Sequence, residues 1–293
     1  MKVLTVGITG QFAALVVPEL KKRGIAVRAL IRDQRHAGIA FARGADETVL
    51  GNLENPGSLR NAAEGVDGIF HINPAFSPNE FDMGIAMLEA ARAASVERFV
   101  FSGVIHPSIL GLSNHAAKLP VEEVLYQSGM NFTVLQPAMF MQNFDRSWSD
   151  IVRRGRFALP YSVHARACYV DYRDVAEAAA IAFATNRLDY GTFELCAPGM
   201  LNRIEVAALM SEALDFPVKA GEISFDEWAH AAQLPSGPMR DGLRHLYEDY
   251  DRHGFPGGNA LVLRAILERE PRTLRQYIQE LAHSEEYQLL RAS

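Results

Sequence analysis

Through about residue 150, short apolar runs alternate with stretches whose apolar positions recur at helical spacing. Consecutive apolar positions suit strands buried on both faces, and their alternation with amphipathic helices is the rhythm of βαβ units in a parallel sheet. The strands this pattern predicts are KVLTVG (2–7), AVRALIR (26–32), ETVLGN (47–52), GIFHIN (68–73), RFVFSG (98–103) and TVLQPA (133–138). Helices are predicted at FAALVVPELKKRG (12–24), SLRNAAEG (58–65), MGIAMLEAARAASV (83–96) and PVEEVLYQSG (120–129). Pro18 is expected to bend the first of these, because its ring removes a backbone donor. Beyond 150 the rhythm loosens into a strand at ARACYVD (165–171), an alanine-rich helix at 173–186 and a strand at GTFELCA (191–197). Mostly helical text follows, broken at LPSGPMRDG (234–242) and HGFPGGN (253–259). The expected class is α/β: a doubly wound parallel sheet over 1–150, then a smaller, mostly helical C-terminal substrate region over 151–293, some of whose strands return to the main sheet.

Composition narrows this picture by exclusion. A formal charge of −6, with no basic run longer than KKR at 21–23, leaves no electrostatic footprint for nucleic acid or an anionic membrane. No apolar stretch approaches the ~20 residues of a membrane span, and Gly7 and Gly10 interrupt any signal-peptide core. Two cysteines imply no disulfide framework. The expectation is a cytoplasmic protein. The histidines lie dispersed without metal-ligand spacing, so no metal site is expected, and Val100 two residues before Ser102 breaks any nucleophile elbow.

Chemistry enters at VGITGQFA, where Gly7, Gly10 and Ala13 follow the first strand at G-x-x-G-x-x-A spacing. The first glycine permits a tight turn at positive φ, the second lets a diphosphate approach the main chain, and the small third residue lets helix and strand pack closely. A second strand ending about 20 residues on completes the Rossmann-like dinucleotide-binding context. At its tip stand Arg32 and Asp33. A guanidinium there suits the 2′-phosphate of NADP, which favours NADP(H) over NAD(H), while Asp33 could still reach the ribose of NAD.

Joined to RFVFSGVIHP, HAAKLPVEEVLYQSGMNFTVLQPAMFMQN and YVDYRDVAEAAA, the glycine turn makes the chain resemble the NmrA-like family of atypical short-chain dehydrogenases/reductases. The segment Lys118–Asn143 is the most specific, and the likeness extends to EREPRTLRQYI (268–278). Two departures are visible: Ala13 replaces a third glycine, and Gly51-Asn52 replaces the Gly-Asp that commonly closes the third strand. The resemblance implies that Gly7, Thr9, Gly10, Gln11 and Phe12 surround the diphosphate, that Arg32 meets the 2′-phosphate, and that Asn52 and Leu53 border the adenine. It further implies that Asn73, Pro74 and Ala75 line the path to the nicotinamide, that Lys118 holds its ribose, and that Pro137, Ala138, Met139 and Phe140 flank the ring. A parallel sheet independently gathers its ligand outside the carboxyl ends of its strands.

The wider superfamily uses a tyrosine four residues before the lysine, where the ammonium lowers the phenol's pKa. Here that position is Asn114, and no tyrosine in the chain stands at that spacing from a lysine. Ser102 takes the place of the usual serine only by strand order, and a satisfied turn serine fits equally. What remains is hydride delivery to an acceptor needing little proton help, such as a quinone, an enone or a cationic dye. Lys118 is the leading catalytic candidate, with His115 a candidate relay or a structural histidine. Tyr161, His164, Tyr247 and Tyr250 could face the substrate, though core packing would produce the same aromatic spacing. The expected function is an NADPH-dependent reductase of quinone-like or other conjugated carbonyl small molecules. The alternative is a non-catalytic NAD(P)-binding redox sensor acting through a protein partner.

Overall fold

The computed structural model describes residues 1–284. Its strands are β1 (Lys2–Thr5), β2 (Ala26–Ile31), β3 (Glu47–Leu50), β4 (Gly68–Ile72), β5 (Arg98–Ser102), β6 (Asn131–Pro137), β7 (Met139–Phe140), β8 (Arg156–Leu159), β9 (Tyr169–Val170), β10 (Gly191–Leu195) and β11 (Lys219–Glu222). Its α-helices are α1 (Val16–Lys22), α2 (Ala37–Ala42), α3 (Pro56–Ala63), α4 (Glu80–Ala93), α5 (Ser113–Ala116), α6 (Leu119–Tyr126), α7 (Asp145–Arg154), α8 (Tyr172–Ala184), α9 (Arg203–Leu214), α10 (Phe225–Ala231), α11 (Pro238–His253), α12 (Leu261–Leu267) and α13 (Leu274–Ala282). The chain divides into two units: Met1–Pro137 with Tyr172–Leu195, and Ala138–Asp171 with Cys196 onward.

The first unit is a seven-stranded sheet in the order β10-β6-β5-β4-β1-β2-β3, parallel throughout. Helices α3, α4 and α6 pack together on it, as do α1 and α8. Cover on both faces explains why Leu4, Ile69, Phe70, Phe99, Phe101, Val134 and Leu135 are fully buried at consecutive as well as alternate positions. From β1 the order runs out through β2 and β3 on one side and through β4, β5 and β6 on the other, so a switch point lies between β1 and β4. Connections leave the two strands in opposite directions there and open a crevice at their carboxyl ends.

The expected helix over 12–24 is divided. Ala13–Leu15 forms a 3₁₀ turn, and the α-helix begins only at Val16. Pro18 is the cause: it has no N–H for the carbonyl of Ala14, and its ring would clash there, so it is tolerated only in the first turn of a helix that starts later.

In the second unit, β8 pairs in parallel with β11 and β7 with β9. Helices α9, α10 and α13 each open with a complete capping box, at Asn202/Glu205, Ser224/Glu227 and Thr273/Gln276. The expected strand at 165–171 contracts to Tyr169–Val170, because its partner β7 is itself two residues long; Ala167 makes only isolated bridges to Leu201 and Phe255. The expected break at 234–242 ends at Pro238, where the ring occupies the first position of α11. Among the described residues no helix is long and apolar enough to cross a membrane.

Candidate functional site

The glycine turn leaves β1 as the pattern predicts. Gly7 sits at φ +81°, and the Gly10 N–H donates to Gly7 O at 2.8 Å, closing the turn on itself. A Cβ on Gly10 would lie 3.2 Å from Gly7 O, and one on Gly7 would lie 3.3 Å from Ile72 Cγ2 at the end of β4. Ala13, nearly fully buried, lies 3.5 Å from that same Gly7 position, which is the close approach that a small third residue allows.

Sequence reasoning missed Arg43. Its guanidinium donates to Ile8 O and Gly10 O, both at 2.6 Å, and so ties the end of α2 to the turn. The two carbonyls thereby face a cation instead of an arriving anion. An isolated arginine 33 positions downstream of Gly10 carries no local signal of this contact.

Beyond β2, Asp33 caps the short turn Gln34–His36 by accepting from Arg35 N at 2.8 Å, and accepts again from Arg35 Nε at 2.9 Å. The Arg35 guanidinium holds its carboxyl below the usual carboxylate range. Arg32 is exposed and forms no ion pair among the described residues. The acid at this tip is therefore paired with a guanidinium, while the base next to it is exposed. After β3, the Asn52 backbone is fixed by Ser58, whose Oγ accepts from Asn52 N at 3.0 Å, and Leu53 packs on the hydrophobic core.

At the end of β4 lies a buried polar chain. The His71 ring stands 2.5 Å from Asn73 Oδ1, Asn73 Nδ2 donates to Glu80 O at 3.0 Å, and Glu80 Oε1 meets Lys118 Nζ at 2.6 Å. Lys118 Nζ also donates to Asn114 O at 2.6 Å. Burial pushes the His71 pKa down to about 4, so the ring is neutral at physiological pH, and the shared Oδ1 requires that its Nε2 carry the proton. Burial raises the Glu80 carboxyl, against the opposing pull of the Lys118 ammonium. Pro74 and Ala75 are exposed in the loop that follows. Glu80 was not legible as a site residue, since it reads as an ordinary acid in the first turn of a helix.

Ser102, at the end of β5, is fully buried, and its Oγ lies 3.0 Å from the Tyr172 hydroxyl. Tyr172 opens α8 and tilts its ring against Phe12 of the glycine turn at 5.4 Å. A serine–tyrosine pair thus exists, supplied from a tyrosine that no spacing rule connects to Lys118. It does not act as a surface acid: both residues are fully buried, and burial raises the phenol pKa still further. His115 is fully buried in α5, with Nδ1–H donating to His106 O at 3.1 Å.

Pro137 ends β6 within the first unit. Ala138, Met139 and Phe140 open the second unit, where Met139 and Phe140 form β7. Three of the four candidate substrate residues come together there: Tyr161 stacks on Tyr247 at 5.6 Å and meets Tyr250 edge-on at 5.8 Å, beneath the Arg203 guanidinium at 4.2 Å. Tyr161 and Tyr250 show almost no surface, and Tyr247 keeps some. His164 stands outside the stack and is exposed.

Whether a dinucleotide fits can be tested on the buried polar atoms. Asn114 Oδ1 is buried without a hydrogen-bond partner. Lys118 has three N–H donors and spends two on protein atoms. An acceptor and a donor are thus left over at neighbouring residues, the complement of a sugar diol. Together with the bare turn, this suits the two ends of a nicotinamide nucleotide.

A parallel sheet with its switch point beside a glycine turn defines the Rossmann-like α/β class. The chain belongs to the NmrA-like family, whose sequence profile matches residues 1–287. It is 30% identical over 250 residues to the NAD(P)H azoreductase of Xenophilus azovorans, covering 84% of this chain and 86% of that protein. With quinone oxidoreductase 2 of Escherichia coli it shares 25% identity over 258 residues, 86% of this chain and 87% of the relative. The structure of Citrobacter sp. triphenylmethane reductase complexed with NADP(H) superposes with a TM-score of 0.82 at 19% identity, covering 95% of this chain and 99% of that one.

Proposed function

We propose that this protein is an NADPH-dependent reductase that delivers hydride to a quinone-like or other conjugated small molecule. The observation that carries the reading is the state of its would-be proton donors. The Lys118 ammonium is buried and held by Glu80, and the Ser102–Tyr172 pair is sealed inside the fold. Groups placed in this way bind and orient; they do not hand a proton to a substrate. An acceptor that takes hydride into a conjugated system, with its proton coming from solvent, needs no more. The names of the azoreductase and quinone oxidoreductase relatives support the same acceptor class.

In this reading Gly7, Thr9, Gly10, Gln11 and Phe12 hold the diphosphate, Arg32 the 2′-phosphate, and Asn52 and Leu53 the adenine. The third N–H of Lys118 and the Asn114 amide oxygen hold the nicotinamide ribose. The bound dihydronicotinamide supplies the hydride. The exposed Arg32 guanidinium at the tip of β2, beside an Asp33 carboxylate already neutralised by Arg35, supports NADPH over NADH.

Anaerobic steady-state assays with NADPH against a panel of quinones, azo dyes and triphenylmethane dyes test the proposal. Oxidation of NADPH above background with at least one acceptor class is expected. Binding of NADPH with no turnover across the whole panel would overturn it in favour of a nucleotide sensor.

A further inference from the structure

Buried lysines normally shed their proton unless a counter-charge holds it. Lys118 is 5% exposed and Glu80 1%, with 2.6 Å between them, so Glu80 is the carboxylate bonded directly to the ammonium in a place that water scarcely reaches, with Glu122 a second buried acid near enough to feel the charge. Glu80 does more than neutralise. Its second oxygen accepts from Phe76 N at 3.0 Å, and its carbonyl accepts from Asn73 Nδ2 at 3.0 Å. Phe76 is held at φ +63°, a left-handed conformation unfavourable for a bulky residue. One residue therefore grips the lysine, the strained turn after β4 and the side chain of Asn73. The elements involved approach closely because Gly84 has no Cβ: one there would lie 2.7 Å from Val121 Cγ2 and 3.0 Å from Asn73 Nδ2.

We propose that Glu80 is the positioning residue of the cofactor site, its carboxylate orienting the Lys118 ammonium and the Asn73–Phe76 turn as one body so that a single N–H is presented to the nicotinamide ribose. This rests on the reading of Lys118 as the ribose-holding residue. Without the carboxylate, a buried ammonium loses the counter-charge bonded directly to it, which favours its neutral form. The other titratable groups near it are His71 through Asn73 on β4, Glu122 on α6 and His115 on α5; all three remain in every variant described here.

The test is NADPH and NADH binding, followed by calorimetry from about pH 7 to 9.5, a range above the second pKa of ~6 at which a phosphate monoester is half ionised. Wild-type affinity is expected to stay flat. In Glu80→Gln, affinity should fall by about tenfold or more across that range, equally for both nucleotides because the ribose is common to them. Glu80→Asp, which keeps the charge at shorter reach, should restore a flat profile. Where Glu80→Gln does not fold, Glu80→Met, which removes the charge at similar volume, is measured in its place. A flat profile in Glu80→Gln, or a loss of affinity independent of pH that tracks only a lower melting temperature, overturns the proposal. Failure of wild type itself to bind either nucleotide overturns the underlying reading instead.

Discussion

At Gly10 the backbone has no room for a side chain on the inside of the turn. A Cβ there meets Gly7 O at 3.2 Å, and a branched residue adds further atoms in the same direction. Gly10→Val is therefore expected to abolish measurable NADPH binding, read by nucleotide fluorescence, with a change in melting temperature of only a few degrees. Arg32 makes a different prediction, because it is exposed and forms no ion pair among the described residues. A guanidinium–phosphate contact is worth roughly 1.5–3 kcal/mol, so Arg32→Ala should weaken NADPH by about tenfold to hundredfold while leaving NADH within about twofold. Parallel titration of both nucleotides gives the ratio directly. Arg43 holds the turn carbonyls of Ile8 and Gly10, on the diphosphate part common to both nucleotides, so Arg43→Met should weaken both alike. Equal losses at Arg43 and unequal losses at Arg32 would separate the residue that shapes the turn from the one that reads the phosphate.

Among the elements, the junction of α4 with α6 has the tightest tolerance. Gly84 lies inside a 14-residue helix, where glycine is about 1 kcal/mol worse than alanine on propensity alone. The contacts a Cβ would make, 2.7 Å to Val121 and 3.0 Å to Asn73, explain why the small residue is needed. Gly84→Val should cost about 1–3 kcal/mol in urea unfolding through overpacking, outweighing any gain in helix propensity. It should also disturb nucleotide binding, since Asn73 bonds to Glu80. Other elements show why local pattern reads some structure and not the rest. The inner strands of the first unit announced themselves because they are buried on both faces. By contrast β11, Lys-Ala-Gly-Glu, has no apolar pattern and is a strand only because β8 lies alongside it. Helix α7 carried a readable stop in Gly155, at φ +58°, but its charged sequence hid it.

Across the whole molecule, the buried ionisable groups set how stability follows pH. His71 is fully buried and neutral, with its pKa lowered to about 4 from an ordinary value near 6.5. A lowered histidine favours the folded state above about pH 6.5, and that contribution drains away as pH falls toward 4, by about 3 kcal/mol in all. Glu80 and Glu122 are raised by burial and act in the opposite sense: their contribution is present at low pH and is lost as pH rises through their folded-state values. The wild-type profile is the sum of these opposing terms, so a difference measurement is needed. Urea unfolding of wild type and His71→Gln at pH 7 and pH 4.5 should show the variant losing less stability on acidification, by about 2–3 kcal/mol. Equal losses would mean that His71 does not titrate as its burial demands.

The sequence alone determined the alternation of strands and helices in the first unit, the bare turn at Gly7 and Gly10, and the missing tyrosine before Lys118. These are legible because strand burial, positive φ and covalent spacing are local properties, written into neighbouring residues. Only the tertiary structure decided that Glu80 would meet Lys118, that Arg43 would reach the glycine turn, that Tyr172 would find Ser102, and that Pro18 would split the first helix in this way. Apart from the last, these pairings join residues from separate elements. A buried charge is satisfied by whatever partner the packing brings within reach, and spacing along the chain does not record which one that is.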